Sequence, residues 1–537
     1  TTDEFLAYAK AMKAQGTPGG MAFGHASGDA NGWIHWCLWS QGGNVVDAAV
    51  ATNGVLAVTQ PNFCGVGGDF FCLYYDAESR RVHFLNGAGR SGSRAGLDEL
   101  ARRGLAAVPA IGAGSVSAPG ATRAWSMLLE RFGTRPLKSL LAPAIHYAAD
   151  GFPLTDIVSQ AIRERSDLID DPEWRRIFIP GGGFPEPGDI FRQPDLARTL
   201  TELGENPDLF YRGRVGQAIA KRLEKDGFLT ADDLSGHTGA WGEPISTTYR
   251  GYTVWETPPP TQGIATLLTL NLLEGFDVTA HPIHSVEHLH LLLEMTKLAY
   301  ADRDRWVADP ATSRLPVESL LDKAYAARRG KAFDPDKSQR YEPGEVDGDT
   351  TAFVIADGRG NVLSVIQSLY KSFGSGVVPP GTGVVLQNRG AYFNTNPEHP
   401  NCFGPRKHPF HTLIACIVTR GERPVLGLAN MGGDGQAMFH TQILTNALDY
   451  GMEIQEAIER PRFFMGRINP GDAPDLVRLE SRVPAPVREE LIRRGHNILP
   501  VSDWFTSEGH AHAVAVLKDG VLRGGADPRG DGAAVGY

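Results

Sequence analysis

Two adjacent threonines, Thr350 and Thr351, stand at the start of a predicted strand, directly after an acidic, glycine-containing loop. A hydroxyl is a weak nucleophile at neutral pH. One known way to activate it is to cut the chain before the residue, so that its own α-amine acts as the base. An α-amine has a pKa of about 7.7–8.0, so a useful fraction is uncharged near pH 7. Threonine is also common in strands, so the pair by itself leaves both interpretations open.

The residues around the threonines predict a β-hairpin. TAFVIAD alternates as a strand, GRGN forms the turn, and VLSVIQS is the second strand. Nucleophile chemistry of this kind requires a strand start that follows a removable segment. Residues 309–349 are polar and rich in Pro, Gly and Asp, which predicts a linker or exposed loop. Thr1 is a second candidate by position, but the helical pattern behind it lacks the rigid strand edge that a nucleophile needs.

The rest of the chain predicts a layered α/β protein. Residues 42–58 are small and apolar and indicate a buried helix with Asn44 as its cap. Helical patterns dominate the first part of the chain and strand-like runs dominate after position 350, with β segments in both parts. The strand-like runs of the second part are TAFVIAD, NVLSVIQS, GVVLQN, TLIACIVTR and RPVLGLAN.

Composition excludes several classes of function. The 537 residues carry a net charge of −10 and no long run of Lys or Arg, which excludes a nucleic-acid-binding face. No apolar stretch approaches the length of a membrane span, so no membrane partner is expected. The cysteines are odd in number and form no CxxC pair, which favours free thiols and a cytoplasmic location over a disulfide framework. Removal of an earlier signal segment would make the protein periplasmic or secreted. The cysteines are Cys37, Cys64, Cys72, Cys402 and Cys416.

Several blocks of sequence, in a fixed order from about Gly42 to Tyr537, resemble the γ-glutamyltransferase family of N-terminal-nucleophile hydrolases. Any one block would be a weak signal, but their combination and order are specific. The blocks are GGNVVDAAVAT, GVGGD, PGATRAW, FYRGRVGQAIA, YRGYTVWETPPPTQG, KLAYADRDRWVADP, DTTAFVIADGRGNVLSV, FGSGVVPPGTGVVLQN, MGGDGQ and ADPRGDGAAVGY.

The resemblance implies a four-layer αββα fold made as one precursor that cuts itself between Asp349 and Thr350. A large chain, 1–349, and a small chain, 350–537, would then form one interlocked domain, with a homo-oligomer of that heterodimer left open. Thr350 would be the nucleophile, Thr351 a supporting threonine, and Ser368 a hydroxyl that helps to activate the nucleophile. The resemblance also implies that the N–H groups of Gly432 and Gly433 form an oxyanion hole.

The expected binding residues depart from those of glutathione-acting relatives. Arg90 matches the arginine that holds the glutamyl α-carboxylate in such enzymes. The acceptors for the α-ammonium are replaced, and Arg389 adds a cation where an ammonium would be repelled. A site without a carboxylate favours an anionic substrate that lacks an α-amine. In the resemblance, Tyr392 replaces the acidic residue and Tyr370 an asparagine, whereas His411 and Thr412 replace the serine pair that contacts the carboxylate.

The pattern therefore indicates the amidohydrolase branch, which includes oxamate amidohydrolase and acylases of dicarboxylic acyl amides. The expected substrate is a small carboxylate-bearing amide, hydrolysed through an acyl-enzyme. A γ-glutamyltransferase or glutathione hydrolase, a natural-product hydrolase of C–N or C–C bonds, and an inactive binding homologue remain alternatives, as does transfer to an acceptor.

No cofactor or metal is expected. His284 and His288 have the spacing of a zinc-binding face, but Ser285 is the predicted helix cap, which leaves His284 outside the helix, and no third ligand is apparent. Residues 65–69, GVGGD, lack the lysine and hydroxyl of a phosphate-binding loop and instead predict a tight turn near the active site.

Overall fold

The computed structural model describes residues 43–339, 349–468, 471–530 and 532–536. Thr1, the helix predicted behind it and Cys37 lie outside these residues. The strands are β1 (Asp69–Asp76), β2 (Arg81–Asn86), β3 (Phe152–Pro153), β4 (Ile190–Phe191), β5 (Ala240–Gly242), β6 (Ile245–Tyr249), β7 (Tyr252–Glu256), β8 (Asp349–Ala356), β9 (Val362–Tyr370), β10 (Ala415–Arg420), β11 (Arg423–Asn430), β12 (Phe463–Met465), β13 (Leu476–Glu480), β14 (Asn497–Val501), β15 (Ala511–Val516) and β16 (Leu522–Ala526).

The helices surround these strands. They are α1 (Val45–Thr59), α2 (Leu97–Arg102), α3 (Ala121–Phe132), α4 (Leu137–Asp150), α5 (Asp156–Ser166), α6 (Pro172–Phe178), α7 (Pro194–Glu205), α8 (Leu209–Arg212), α9 (Arg214–Leu223), α10 (Ala231–Ser235), α11 (Gly263–Leu273), α12 (Val286–Trp306), α13 (Val317–Leu320), α14 (Lys323–Gly330), α15 (Gln436–Leu448), α16 (Ile454–Glu459) and α17 (Ala485–Arg493). Short 3₁₀ turns lie at Ala113–Ser115, Pro180–Gly182, Val278–Ala280, Arg389–Tyr392, Gly433–Gly435 and Thr506–Glu508.

Two main sheets form the centre of the fold. The first has the order β5-β2-β1-β9-β8 and the second has the order β16-β15-β11-β10-β7-β6. The paired strands in both sheets are antiparallel. A three-stranded sheet, β12-β13-β14, and a two-stranded sheet, β3-β4, complete the described strands.

Side-chain alternation along the strands explains why the sheets stack between helices. Successive side chains of a strand point to opposite faces. On β1, Phe70 and Cys72 pack with the helices that include α1, α3 and α4. Phe71 and Leu73 of the same strand face the second sheet and share a core with Ala415 of β10. These contacts give the first helix layer, the first sheet and the core between the sheets.

The second sheet repeats this arrangement on its own outer face. Cys416 and Val418 of β10 pack with Leu267 of α11, Leu292 of α12 and Phe439 of α15. The order of layers is therefore helix, sheet, sheet, helix, and the expected αββα fold is confirmed.

The predicted hairpin and the predicted helix cap at Asn44 are both confirmed. The hairpin β8–β9 is present, and Asn44 caps α1 by accepting hydrogen bonds from the N–H groups of Val46 and Asp47. The prediction of a bare linker over 309–349 is wrong for its first part, which contains α13 and α14; residues 340–348 lie outside the described residues.

The run GVVLQN, residues 383–388, was also predicted wrongly, because it forms no strand. Its backbone amides instead bond to a loop and to the end of β9, with Gln387 N–H donating to Gly67 O at 3.0 Å and Asn388 N–H donating to Leu369 O at 3.1 Å. These bonds place the following residue, Arg389, beside the end of β9.

No helix among the described residues is both long and apolar enough to cross a bilayer. The cysteines in the described part of the chain are free thiols, as expected from their number. They are Cys64, Cys72, Cys402 and Cys416.

Candidate active site

The hairpin that carries Thr350 is irregular at that residue. Asp349 lies opposite Tyr370, whereas Thr351 lies opposite Gln367. Two steps along β8 therefore face three steps along β9, which is the geometry of a β-bulge. Bulges bend a strand locally and re-aim a side chain, and they are frequent beside active sites.

The bulge brings two hydroxyls together. Thr350 Oγ1 donates a hydrogen bond to Ser368 Oγ at 3.3 Å, and Ser368 Oγ accepts one from the N–H of Tyr370 at 2.7 Å. Tyr370 has a φ of 80°, a strained value for a non-glycine residue. Thr350 is 1% exposed. The predicted nucleophile and its predicted activating hydroxyl are thus neighbours at a buried strand start.

Thr351 follows Thr350 on β8 and lies beside Cys64. Burial raises the pKa of the Cys64 thiol to about 12, and a hydrogen bond with the Thr351 side chain opposes part of that rise. A thiol with this pKa stays protonated at neutral pH and is a poor nucleophile. Of the two threonines, Thr350 is the one whose hydroxyl reaches Ser368.

A buried carboxylate lies directly across from Ser368. Asp69, the first residue of β1, is the strand partner of Ser368, and it ends the GVGGD turn, in which Gly68 N–H bonds to Gly65 O at 3.0 Å. The expected tight turn is therefore confirmed. Asp69 Oδ1 accepts a hydrogen bond from Gly89 N–H at 3.3 Å, and burial raises the pKa of Asp69 to about 6.

Arg389 lies next to Asp69 in the interior and has unused donors. Its Nε is 3.6 Å from Asp69 Oδ2, its Nη1 donates to Thr412 Oγ1 at 3.1 Å, and its guanidinium stacks over the Tyr370 ring at 4.5 Å. Nε and Nη2 have no hydrogen-bond partner among the described residues. Burial lowers the pKa of Arg389, and the nearby Asp69 opposes that shift.

Tyr392 contacts both Tyr370 and a second buried carboxylate, that of Asp434. Its ring lies 5.5 Å from that of Tyr370, and its hydroxyl donates to Asp434 Oδ1 at 2.6 Å. Arg303 Nη1 also donates to Asp434 Oδ1, at 2.8 Å. Burial raises the pKa of Asp434 to about 7, while Arg303 opposes the rise.

The expectation of a cation-rich site without a carboxylate is therefore wrong. Asp69 lies beside Arg389, and Asp434 lies beside Arg303. The expectation came only from the positions that bind substrate in glutathione-acting relatives. Asp69 and Asp434 lie in other segments, which the fold brings close to Arg389 and Arg303. An anionic ligand is still favoured by Arg389, because its Nε and Nη2 have no hydrogen-bond partner among the described residues.

His411 and Thr412 stand where they were expected, beside Arg389. Both are fully buried. Neither ring nitrogen of His411 has a hydrogen-bond partner among the described residues, and its ring meets Phe71 edge-on at 4.9 Å. Burial, together with the charge of Arg389, holds the pKa of His411 well below its ordinary value. His411 is therefore neutral, with one donor and one acceptor available.

Arg90 is held by a partner that the sequence did not predict. Its Nη1 donates to Asp309 Oδ2 at 2.7 Å and to Arg406 O at 3.1 Å. The Arg90 side chain is 42% exposed, whereas Asp309 is 1% exposed. Arg90 is also close enough to His408 to lower its pKa, which burial sets to about 4. Arg90 is therefore a partly exposed residue bound to a buried carboxylate, and its side-chain hydrogen bonds among the described residues do not include Arg389.

The predicted oxyanion glycines lie between β11 and α15. Gly432 has a φ of 130° and Gly433 a φ of 54°, values that favour glycine. A Cβ on Gly432 would lie 2.7 Å from Phe439 Cε2, so a side chain does not fit. Met431, just before these glycines, and Thr350 line the same cavity of about 150 Å³. The loop and the threonine therefore meet at one cavity.

Two buried groups of side chains have the donor types of a metal centre. Glu256, Cys416 and His440 form one group, and His290, Glu294 and His496 form the other. Within them, His440 Nδ1 lies 2.8 Å from Glu256 Oε1 and His290 Nδ1 lies 2.7 Å from His496 Nε2, so each group is already joined by hydrogen bonding. Ser285 caps α12 as expected.

Sequence reasoning missed four residues of this site. Each lies inside a block that resembles the family, but no local pattern distinguishes it from an ordinary turn or helix residue. Their contacts join segments far apart in the chain. They are Asp69, Gln262, Arg303 and Asp434.

Comparison with known proteins gives the family of this chain. Residues 37–537 match the family model described as Gamma-glutamyltranspeptidase. The chain is 39% identical over 507 residues to the Glutathione hydrolase-like YwrD proenzyme of Bacillus subtilis (strain 168), covering 93% of this chain and 95% of the relative. It is 34% identical over 507 residues to the Oxamate amidohydrolase proenzyme of Klebsiella pneumoniae subsp. pneumoniae, with the same coverage.

A solved structure supports the same assignment. The cephalosporin acylase from Bacillus halodurans superposes with a TM-score of 0.88 at 35% identity, covering 95% of this chain and 94% of that one. The expected enzyme class, a hydrolase of C–N amide bonds, is confirmed. The chain belongs to the gamma-glutamyltranspeptidase family.

Proposed function

We propose that this chain is a self-processing amidohydrolase in which Thr350 is the nucleophile and the substrate is a small amide that carries a carboxylate. The observation that carries the proposal is the pairing of Thr350 Oγ1 with Ser368 Oγ, 3.3 Å apart in a β-bulge at a buried strand start. A hydroxyl in this position acquires a base when the chain is cut before it.

Maturation cuts the Asp349–Thr350 bond and leaves two chains, 1–349 and 350–537, within one interlocked domain. Interactions across this boundary favour a complex that stays together after cleavage. β9 and all of β8 except Asp349 come from the small chain, whereas β1, which pairs with β9, comes from the large chain.

Turnover then follows from the new N-terminus. Thr350 Oγ attacks the substrate carbonyl, and the Thr350 α-amine takes the hydroxyl proton. The N–H groups of Gly432 and Gly433 stabilise the oxyanion, an interaction worth about 10²–10³ in rate for each donor. The amine gives the proton to the leaving nitrogen as the C–N bond breaks. Water, deprotonated by the same amine, hydrolyses the acyl-threonine ester and releases the acid.

Arg389 binds the carboxylate of the acyl group in this proposal. Its Nε and Nη2 have no hydrogen-bond partner among the described residues, and a guanidinium with two such donors suits a carboxylate. Thr412 holds the third nitrogen, and His411 offers a neutral donor beside it. The partly exposed Arg90 guides the incoming anion, while Tyr370 and Tyr392 form an aromatic wall beside Arg389.

Hydrolysis or transfer of a γ-glutamyl group is the second candidate. The carboxylate of Asp69, beside Arg389, favours it, because an aspartate can bind the α-ammonium of such a substrate. The names of two relatives, the Glutathione hydrolase-like YwrD proenzyme and the Oxamate amidohydrolase proenzyme, correspond to the two candidates.

The first experiment compares the wild type with Thr350→Ala by denaturing gel and intact mass. Two chains in the wild type and one in the variant are expected, and an uncut wild type would overturn the proposal in favour of an inactive binding homologue. The processed enzyme is then assayed with oxamate, glutaryl-p-nitroanilide and γ-glutamyl-p-nitroanilide, with and without glycylglycine as acceptor. A preference for the γ-glutamyl compound would replace the first candidate by the second.

A further inference from the structure

The loop that carries Gly432 and Gly433 is fixed at four successive carbonyls. Met431 O accepts from Asn430 Nδ2 at 2.7 Å, and Gly432 O accepts from Gly435 N–H at 3.0 Å. The next two carbonyls are held by side chains from before position 350. Gly433 O accepts from Gln262 Nε2 at 2.9 Å.

The last of the four carbonyls, Asp434 O, accepts from the hydroxyl of Tyr300 at 2.5 Å. In a trans peptide the C=O and the N–H point in opposite directions. Holding the carbonyls of Met431 and Gly432 therefore aims the N–H groups of Gly432 and Gly433 the other way. Holding Gly433 O prevents the loop from rotating about the second glycine, which has no side chain to restrain it.

Gln262 joins this loop to the proposed carboxylate pocket. Its Nε2 donates to Gly433 O and also to Thr412 O, both at 2.9 Å. Thr412 in turn accepts from Arg389 Nη1. One buried amide therefore spans the two parts of the site that must act together on a substrate, the oxyanion donors and the anion-binding side chains.

Arg303 determines which way the Gln262 amide points. Its Nη1 donates to Gln262 Oε1 at 2.7 Å, so the amide oxygen faces the guanidinium and the NH₂ faces the two carbonyls. The same Nη1 lies 2.8 Å from Asp434 Oδ1, which also accepts from Tyr392. Gln262, Arg303 and Asp434 are each buried.

We infer that Gln262 is a positioning residue that keeps the loop of the oxyanion donors from rotating at Gly433 and aligns it with the acyl pocket, in an orientation fixed by Arg303. The inference rests on the proposed function, because it takes Gly432 and Gly433 as the oxyanion donors. Gln262 reaches them from the large chain, so the donors of the small chain are complete only while the two chains remain docked.

The test uses processed enzyme, with the cleaved fraction of each variant measured by intact mass and kinetic constants given per cleaved molecule. Gln262→Ala is expected to lower kcat by about 10- to 100-fold, less than the full loss of a donor, because the donors are misaligned and not removed. KM is expected to change by less than about threefold. Gln193→Ala is the matched control, since it also deletes a buried amide that donates to a carbonyl, Val58 O at 2.8 Å, outside the site.

Gln262→Glu keeps the shape of the side chain and separates positioning from packing. A protonated carboxyl can still donate one hydrogen bond to Gly433 O, whereas a carboxylate repels that oxygen. The kcat of Gln262→Glu, divided by that of the wild type at the same pH, is therefore expected to fall as pH rises through the titration of the new carboxyl. Wild-type kcat in Gln262→Ala, or a Gln262→Glu to wild-type ratio that does not change with pH, would overturn the inference.

Two other outcomes have distinct meanings. An uncut wild type would show that the proposed function fails, whatever the role of Gln262. Folded Gln262 variants that stay uncut while the wild type is processed would place the residue in maturation and overturn its assignment to turnover.

Discussion

Arg389 Nε lies 3.6 Å from Asp69 Oδ2, with both side chains fully buried. This distance is too long for a hydrogen bond, so the two groups attract as charges while Nε and Nη2 of the arginine stay without hydrogen-bond partners among the described residues. Two buried donors without partners are costly. A bound carboxylate would supply them with acceptors, which links the stability of the site to substrate binding.

Replacing Arg389 by methionine should destabilise the protein and abolish binding of a carboxylate substrate. Loss of one member of a buried ion pair costs about 3–5 kcal/mol, because the other charge stays buried alone. The midpoint of thermal unfolding should therefore fall in Arg389→Met and recover in Arg389→Met with Asp69→Asn. Substrate binding should not recover in the double variant. Equal midpoints for the wild type and the single variant would contradict the coupling.

Replacing Arg90 by alanine should raise KM and leave self-cleavage intact. Its side chain is 42% exposed, and its buried partner Asp309 still accepts hydrogen bonds from the N–H groups of His408 and Ala311, so the fold should tolerate the loss of Arg90. Intact mass and steady-state kinetics test both halves of the prediction. Arg80→Ala, which removes an exposed arginine paired with Glu422, is the matched control. If Arg90→Ala blocked cleavage, its assignment as a substrate-binding residue would be wrong.

Replacing Ser368 by alanine should slow both self-cleavage and turnover. The change removes the oxygen that accepts from Thr350 Oγ1 and from Tyr370 N–H, and general acid–base assistance of this kind is worth about 10²–10⁴ in rate. Ser368→Thr keeps the hydroxyl and should retain most of the activity. Ser364→Ala is the control on the same strand, because Ser364 donates only to Leu428 O at 2.8 Å. Similar losses in both alanine variants would indicate a packing effect.

Stability should depend on pH through Asp69. Burial raises the pKa of Asp69 to about 6, above its ordinary value of about 4, so the folded protein binds this proton more tightly than the unfolded chain does. The stabilising contribution is complete below about pH 4 and is lost as pH rises through about 6. Over this interval the midpoint of thermal unfolding should decline more in the wild type than in Asp69→Asn. Parallel curves would show that Asp69 does not titrate there.

Replacing Gly432 by alanine should abolish turnover. The new Cβ would lie 2.7 Å from Phe439 Cε2 at a φ of 130°, so the loop must shift and carry its N–H groups with it. Gly451→Ala is the control, because that glycine also has a positive φ, 65°, but nothing lies within 4 Å of an added Cβ. The control should lose about 1 kcal/mol of stability and keep its kcat. An active Gly432→Ala would exclude the predicted oxyanion role.

Part of the site could be predicted because its signals are local. The hairpin follows from alternation and a Gly/Asn turn, and the helix α1 begins at Asn44 because a short polar side chain can cap the N–H groups after it. The family resemblance then placed Thr350 and Ser368, and the structure brings their hydroxyls to 3.3 Å.

The tertiary structure alone decided which groups surround them. Asp69 reaches Ser368 because β1 pairs with β9, and Gln262 reaches Gly433 across 171 positions of the chain. Asp309, 219 positions further along the chain, accepts a hydrogen bond from the guanidinium of Arg90. Such contacts depend on how sheets and helices pack, and a single sequence carries no local pattern for them. The sequence by itself therefore determined the hairpin that begins at Thr350 and predicted its hydroxyl as the nucleophile, whereas the packing of distant segments decided which charged groups surround it.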